Sequence, residues 1–398
     1  VPHQFDSNRM GSGVLPLLLL LGLGLSAPAP SASALAPLPV FEFSGNLDSK
    51  EDHYGLGLAI GRKFSSEIAL RLSSTPQLYS RLVPYYRSEG RAAYEAFVNE
   101  NGRVFPLYIA ELHGMADGAE VPFDALFINN LNEEFTAAFP SGVNKSSNID
   151  HCSDYVVCSM PSRECLVGHN EDNGAESINR TFLLKTSTFT AFTYMGDLPS
   201  GAYGFNKKGF GFTLNWLGPQ RGVVGLGRGF ISRSLLDASS LEDGIFRATV
   251  SGQSTGHNYQ LFEAGKGVVN IELAPDGGGP AKAVAFSMRN LTGAAPRFHA
   301  NQYTSLTVDQ FISNSSIHRM ERVHNLPVPT NATSILSILG DQEDRSYPIF
   351  HDDVSHERGD LADWTLSTVL FDVRRGVMTI FRGNPRQGII EHKENIFN

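Results

Sequence analysis

The period of the apolar positions changes about a third of the way along the chain. Between Gly55 and Leu72, the residues Leu56, Ile60, Phe64, Ile68 and Leu72 recur near helical spacing and predict one helix. Tyr86 to Asn99, Pro106 to Asp117 and Ala125 to Phe135 also read as helical, whereas Val40 to Gly45 reads as a strand. Ser141 to Asp150 is a polar break with the composition of an exposed loop. Beyond it, short apolar runs alternate with turn residues. Strands are predicted at Tyr155 to Met160, Cys165 to Gly168, Thr181 to Lys185, Phe189 to Tyr194, Ala202 to Asn206 and Gly209 to Trp216, then at Val268 to Leu273 and Ala283 to Met288. Gly229 to Ala238 and Leu241 to Thr249 form helices between them. A late helix over Val308 to Arg322 precedes closing strands at Leu366 to Asp372 and Val377 to Arg382. A helical front and a strand-rich body predict stacked sheets covered by helices, the α+β class.

Composition narrows the function classes. Hydrophobic residues make up 41% of the 398 positions and charged residues 18%, as in an ordinary globular chain. The net charge of -9 supplies no basic face for phosphates, so nucleic acid is not an expected partner. Gly225-x-Gly227-x-Gly229 lacks the spacing of a dinucleotide fingerprint, and no cofactor is expected. Val14 to Leu25 is an apolar run followed by Ala32-Ser33-Ala34 and Ala34-Leu35-Ala36, both suited to cleavage. It reads as a signal peptide, too short for a stable membrane anchor, with Met10 as the natural start. Residues 1–36 are therefore assigned to upstream sequence and signal, and the chain to the secretory route, with an extracellular, lysosomal or vacuolar destination. Sequons at Asn144, Asn179, Asn290, Asn314 and Asn331 fit that route as glycosylation sites.

The three cysteines, Cys152, Cys158 and Cys165, crowd into one stretch. Cys158 and Cys165 flank a turn at Pro161-Ser162-Arg163 and could bridge the hairpin, which would leave Cys152 as a free thiol. Their spacings match no usual zinc pattern, and no metal site is read from them. Cys152 follows the polar break and opens a strand. A thiol attacks readily only as thiolate and needs a base. Cutting the His151-Cys152 bond would place such a base, an α-amine of pKa ~7.7 to 8.0, on the nucleophile's own residue. The ordinary alternative is a buried cysteine that packs as a small apolar group.

Cys152-Ser153-Asp154-Tyr155, with Gly168-His169-Asn170-Glu171-Asp172, resembles the amino-terminal-nucleophile hydrolases of the acyl-coenzyme A:isopenicillin N acyltransferase family, the C45 cysteine peptidases. The run Tyr194 to Gly201 leading into Asn206 to Asn215 is similar to the β-alanyl-dopamine hydrolase branch. The resemblance implies a four-layer αββα sandwich and self-cleavage at His151-Cys152. Residues 37–151 would form a helix-rich amino-terminal chain that stays bound to a strand-rich catalytic chain, 152–398. It further implies Cys152 as nucleophile, Asp172 as the acid that orients it, and Asn301 as oxyanion donor. Ser316 and Arg319 resemble a pocket segment, and Ser254, His257 and Asn258 are placed near the pocket. The family commonly has Gly where this chain has His151. The implied activity is hydrolysis, or acyl transfer, of C-N amide bonds in small N-acyl or aminoacyl conjugates through a thioester. Three alternatives stand beside it: a choloylglycine hydrolase or ceramidase type amidase with a lipid-like substrate, a non-catalytic secreted glycoprotein, and an uncut thiol enzyme using His151 or His169 as base.

Overall fold

Ser49 and Asp52 close a capping box, each side chain accepting from the other's backbone N–H at 3.1 and 3.0 Å, and so start the first helix. A computed structural model describes residues 35–139, 152–159, 164–199, 201–275, 296–359 and 363–397. The amino-terminal part comprises strand β1 (Val40–Glu42) and helices α1 (Lys50–Lys63), α2 (Ser65–Ser74), α3 (Val83–Tyr86), α4 (Arg91–Val104), α5 (Pro106–Ala119), α6 (Phe123–Asn130) and α7 (Asn132–Ala138). The single helix expected over Gly55 to Leu72 is two, broken at Phe64, and Ala125 to Phe135 is likewise broken at Leu131. Apolar spacing carried across both breaks because the paired helices bury the same side.

α1 and α5 cross at backbone contact. A Cβ on Gly57 would run into the Glu111 carbonyl, one on Gly114 into the Tyr54 carbonyl, and Gly61 and Gly118 meet the opposite helix in the same way. Only hydrogen fits at these four positions. The close crossing also holds a buried ion cluster, His53 on Glu111 at 2.9 Å and Arg233 on Glu111 at 3.2 Å.

Beyond residue 151 come β2 (Ser153–Ser159), β3 (Glu164–Gly174), β4 (Thr181–Lys185), β5 (Phe189–Tyr194), β6 (Tyr203–Asn206) and β7 (Phe210–Leu217), then α8 (Arg228–Leu235), α9 (Leu241–Ala248), β8 (Gly256–Glu263), β9 (Gly267–Leu273) and β10 (Arg297–His299). α10 (Asn314–His324), α11 (Ala332–Leu339), α12 (Asp353–Glu357), β11 (Asp363–Asp372), β12 (Val377–Phe381) and β13 (Ile390–Asn395) complete the chain. The late helix begins at Asn314, capped by the Ser313 side chain, and not at Val308. Ser254 to Tyr259, placed near the pocket, runs into a full strand. The strand expected over Ala283 to Met288 lies outside the described residues.

Among the described residues, seven strands form one sheet in the order β1-β4-β5-β6-β7-β8-β9, and six form the other, β10-β2-β3-β11-β12-β13. Three cores separate four layers. Helices α1 to α9 pack on one face of the first sheet through residues such as Leu112, Phe127, Phe212 and Leu261. The sheets meet through Val167, Phe192, Tyr203, Phe371 and Ile380. α10 and α11 cover the outer face of the second sheet through Val323, Ile335 and Leu339. This is the αββα sandwich. β1 joins the first sheet parallel to β4, so the segment before residue 151 contributes a strand as well as a helical layer to the common core.

Candidate active site

β2 and β3 pair antiparallel with Ser153 opposite Asn170, which sets the residue before β2 over the Glu171-Asp172 end of β3. Cys152 sits there, its thiol the free one and buried. Its backbone N–H donates to Asp172 Oδ2 at 3.3 Å, and its Sγ lies 3.3 Å from Glu171 Oε2. Asp172 is fixed in turn by the Thr365 hydroxyl, which donates to Oδ1 at 2.6 Å. The carbonyl of Cys152 accepts from Arg319 at 2.7 Å. Every polar atom of the cysteine is thereby engaged. The residue adopts φ +89°, a left-handed conformation costing about 1–3 kcal/mol outside glycine, held by Asp172 at one end and Arg319 at the other. The strain that a preceding glycine would make easy is therefore carried by the cysteine itself. His151 lies outside the described residues.

Alternation along β3 puts His169 and Glu171 on the face turned to the other sheet. There His169 Nδ1 meets Asp154 Oδ1 at 2.7 Å and Nε2 meets Glu171 Oε2 at 3.0 Å. Thr213 of β7 donates to Asp154 Oδ1 at 2.9 Å, and the Tyr194 hydroxyl of β5 donates to Glu171 Oε1. A buried chain thus runs Asp154, His169, Glu171, Cys152. His169 is pushed up to about 9: burial opposes its charge, and the carboxylates on both ring nitrogens outweigh burial. Burial pushes the Cys152 thiol well up, and Glu171 and Asp172 add to the effect. A thiol so placed stays protonated until a base reaches it. His169 is not that base by contact, because Glu171 stands between them.

Arg319, from α10, is fully buried and gathers the other half of the site. Besides the Cys152 carbonyl it donates to Ser153 Oγ at 2.9 Å and Asn301 Oδ1 at 2.7 Å. With its oxygen so held, Asn301 turns its amide nitrogen to the Trp216 carbonyl, 3.1 Å away. Ser316 Oγ accepts from the Asn301 N–H at 3.1 Å. Cys152, Asp172, Asn301, Ser316 and Arg319 are thus brought into one network. Other candidates lie elsewhere. Ser254 donates to the Val223 carbonyl, and Asn258 accepts from Asn270 at 2.5 Å in the seam between the sheets. His257 is buried 4.9 Å from the Tyr259 ring and is pushed down to about 3, by burial first and then by Arg228. Cys158 and Cys165, opposite each other in the hairpin, are joined as a disulfide. Among the sequons, Asn179, Asn314 and Asn331 are exposed, whereas Asn144 and Asn290 lie outside the described residues.

A cleft of about 200 Å³ opens onto Cys152. Its walls come from both parts of the chain: Arg71, Asn129, Asn132 and Glu133 before residue 151, and Glu171, Asp172, Tyr194 and Trp216 after it. Arg71 binds Asp197 through both guanidinium nitrogens at 2.6 and 2.9 Å, fastening α2 to the turn after β5. Gly196 makes that turn at φ +101°. Among the described residues, six carboxylates line the cleft, Glu133, Glu134, Glu171, Asp172, Glu176 and Asp197, against two arginines, Arg71 and Arg228. Among the described residues, one group of three donors could hold a metal ion: Cys152, His169 and Glu171, with ligand atoms within 4.8 Å of one another.

Sequence reasoning gave no positional role to Glu171, His169, Asp154, Tyr194 or Thr365. The Gly168 to Asp172 run contains two of them. The available signal was a run of polar residues, His169 to Asn173, continuing a strand that opens apolar at Cys165 to Val167.

The family model described as acyl-coenzyme A:6-aminopenicillanic acid acyl-transferase matches residues 159–387. The β-alanyl-dopamine/carcinine hydrolase of Drosophila melanogaster is 26% identical over 366 residues, which cover 86% of this chain and 93% of that protein. Among solved structures, a mutant conjugated bile acid hydrolase from Clostridium perfringens aligns at TM-score 0.33 and 12% identity, over 62% of this chain and 94% of that one. A second variant of the same hydrolase gives 0.27 and 10%, over 63% and 87%.

Proposed function

This chain belongs to the acyl-coenzyme A:6-aminopenicillanic acid acyl-transferase family, and from that premise we propose a self-activated amidohydrolase or acyltransferase for small amide conjugates, with Cys152 as nucleophile. The observation that carries the assignment is the grip on Cys152: nitrogen on Asp172, sulfur on Glu171, carbonyl on Arg319. In the first step the thiol adds to the His151 carbonyl and the C–N bond breaks. The acyl group passes to sulfur, the proton to the departing nitrogen, and water then cleaves the thioester. The strained φ of Cys152 favours that shift because opening the peptide releases it. Residues 37–151 and 152–398 then remain together through the shared core and the Arg71–Asp197 pair.

Catalysis by the cut protein begins with transfer of the thiol proton to the new α-amine. The resulting ammonium lies against Asp172, which favours the thiolate–ammonium state over the neutral one. The thiolate attacks the substrate carbonyl, and the Asn301 amide, aimed by Arg319, donates to the oxyanion. The ammonium returns its proton to the leaving amine, and water or another amine discharges the thioester. An acidic cleft suits a conjugate carrying a cationic group, as in aminoacyl amines such as the β-alanyl conjugates named for the fly relative. Its polar walls offer little to a lipid-like substrate. The secretory route, glycosylation at Asn179, Asn314 and Asn331, and activation from a precursor complete the proposal.

Amino-terminal sequencing of purified wild type and of Cys152→Ala tests activation, with β-alanyl amine hydrolysis assayed in parallel. A new terminus at Cys152 in wild type alone is expected. A fully active chain with no cut would overturn the mechanism.

A further inference from the structure

The chain Asp154–His169–Glu171–Cys152 has the construction of a metal-ligand set. A histidine that binds a metal typically donates its other ring N–H to a carboxylate, which fixes the tautomer and turns the free nitrogen to the ion. His169 is held in that way: Nδ1 is on Asp154 at 2.7 Å, and Nε2 points at Glu171. Thr213 of β7 supports Asp154, and Tyr194 of β5, two strands away in the same sheet, supports Glu171. Tetrahedral zinc, with bonds of about 2.3 Å to sulfur and about 2.0–2.2 Å to nitrogen and oxygen, sets its donors roughly 3.5 Å apart. The Cys152 Sγ to Glu171 oxygen separation is 3.3 Å, the His169 Nε2 to Glu171 oxygen separation is 3.0 Å, and all three donors lie within 4.8 Å. Small side-chain shifts would close the set.

We infer that Cys152, His169 and Glu171 form a binding site for a thiophilic divalent cation of the zinc and cadmium class, and that its occupancy reversibly inhibits the enzyme. On binding, the sulfur–metal bond replaces the S–H bond, the His169 nitrogen coordinates through its lone pair, and the displaced protons leave to water. No electron changes hands. Soft thiolate and imidazole donors select zinc or cadmium over magnesium or calcium. Inhibition follows because the metal holds the electron pair needed for attack. That consequence rests on the proposed role of Cys152, but the ligand geometry requires neither that role nor the cut. The site faces the cleft through Cys152 and Glu171, which gives an ion access.

Metal-free wild-type protein titrated with cadmium chloride alone should develop an ultraviolet thiolate-to-cadmium absorbance saturating at one equivalent. Zinc chloride should abolish amide hydrolysis, a chelator should restore it, and magnesium or calcium should do neither. Asp154→Asn, which spoils the support of the histidine, should weaken cadmium binding about 10- to 100-fold, and Glu171→Gln at least about tenfold. Alkylating Cys152 in folded wild type should abolish the absorbance, an arm that depends on no variant folding. Unchanged absorbance after alkylation, or affinity unmoved in both variants, overturns the three-residue site. Amino-terminal sequencing of the titrated sample separates the two proposals. Tight cadmium binding by an uncut chain refutes activation and leaves the metal site standing, whereas a cut, active enzyme without binding refutes the metal site alone.

Discussion

Replacing Asp172 with asparagine preserves the shape of the site and removes one charge. The Thr365 hydroxyl, 2.6 Å from Oδ1, can still donate to an amide oxygen, so the local fold should survive. The amide nitrogen then faces the Cys152 nitrogen, donor against donor, where Oδ2 now lies at 3.3 Å. In the cut enzyme that nitrogen carries the proton taken from the thiol. Unit charges at this separation attract by about 5 kcal/mol at an effective dielectric of roughly 20. Breaking a buried pair by removing one partner costs about 3–5 kcal/mol. Asp172→Asn should therefore lower kcat/KM by roughly 10²- to 10⁴-fold. Thr365→Val, which loosens the carboxylate without neutralising it, should cost roughly tenfold, about one hydrogen bond. The assay is steady-state hydrolysis of a β-alanyl amine, with amino-terminal sequencing of each preparation. If Asp172→Asn is fully cut and retains kcat/KM within about threefold of wild type, the carboxylate does not stabilise the ammonium. If it remains uncut, the ammonium effect is read from Thr365→Val.

Three further outcomes follow from the same geometry. Asn301→Ala should lower kcat by about 10²- to 10³-fold, the usual loss for one oxyanion donor, with KM for the conjugate little changed; a pure KM effect would place Asn301 in substrate binding instead. Gly57→Ala should destabilise the protein by about 1–3 kcal/mol in denaturant unfolding, since overpacking against the Glu111 carbonyl outweighs the ~1 kcal/mol gained in helix propensity. Glu272 is held well below the usual carboxylate range: burial opposes this, while His299, Thr304 and the Leu306 N–H prevail. A depressed carboxylate contributes stability above its unfolded pKa of ~4.3, lost as pH falls below it. Glu272→Gln should thus be less stable than wild type at pH ~7 and show a shallower loss of stability on acidification, read from unfolding curves across pH.

The alternation and turn signals placed most of the strands correctly, and helical spacing found the helical front. What spacing could not register was where a helix breaks while keeping its buried side, as at Phe64 and Leu131. β8 was missed because its inter-sheet face carries Asn258 and Gln260, so a strand buried on both sides does not read as an apolar run. At the site, the cysteine and the acid of the Gly168 to Asp172 run stood out as a resemblance, and the hairpin that juxtaposes them is a local structure. Arg319 was reached only through a loose segment match, His169 only as the base of the uncut alternative, and Glu171 and Asp154 in no role.

By itself, then, the sequence determined the elements that depend on near neighbours: the paired strands β2 and β3, which place Cys158 and Cys165 where they could bridge, and the helices over Pro106 to Asp117 and Leu241 to Thr249; the candidacy of Cys152 and Asp172 together came with the family resemblance. Tertiary structure alone decided which face of each strand meets which layer. Period-two alternation makes His169 and Glu171 share a side, but only the stacking of the second sheet on the first brings Thr213 and Tyr194 against it. Only the packing of α10 carries Arg319 to the Cys152 carbonyl, 167 residues away in sequence. Contacts at such separations come from the sum of the packing, and no local pattern encodes them.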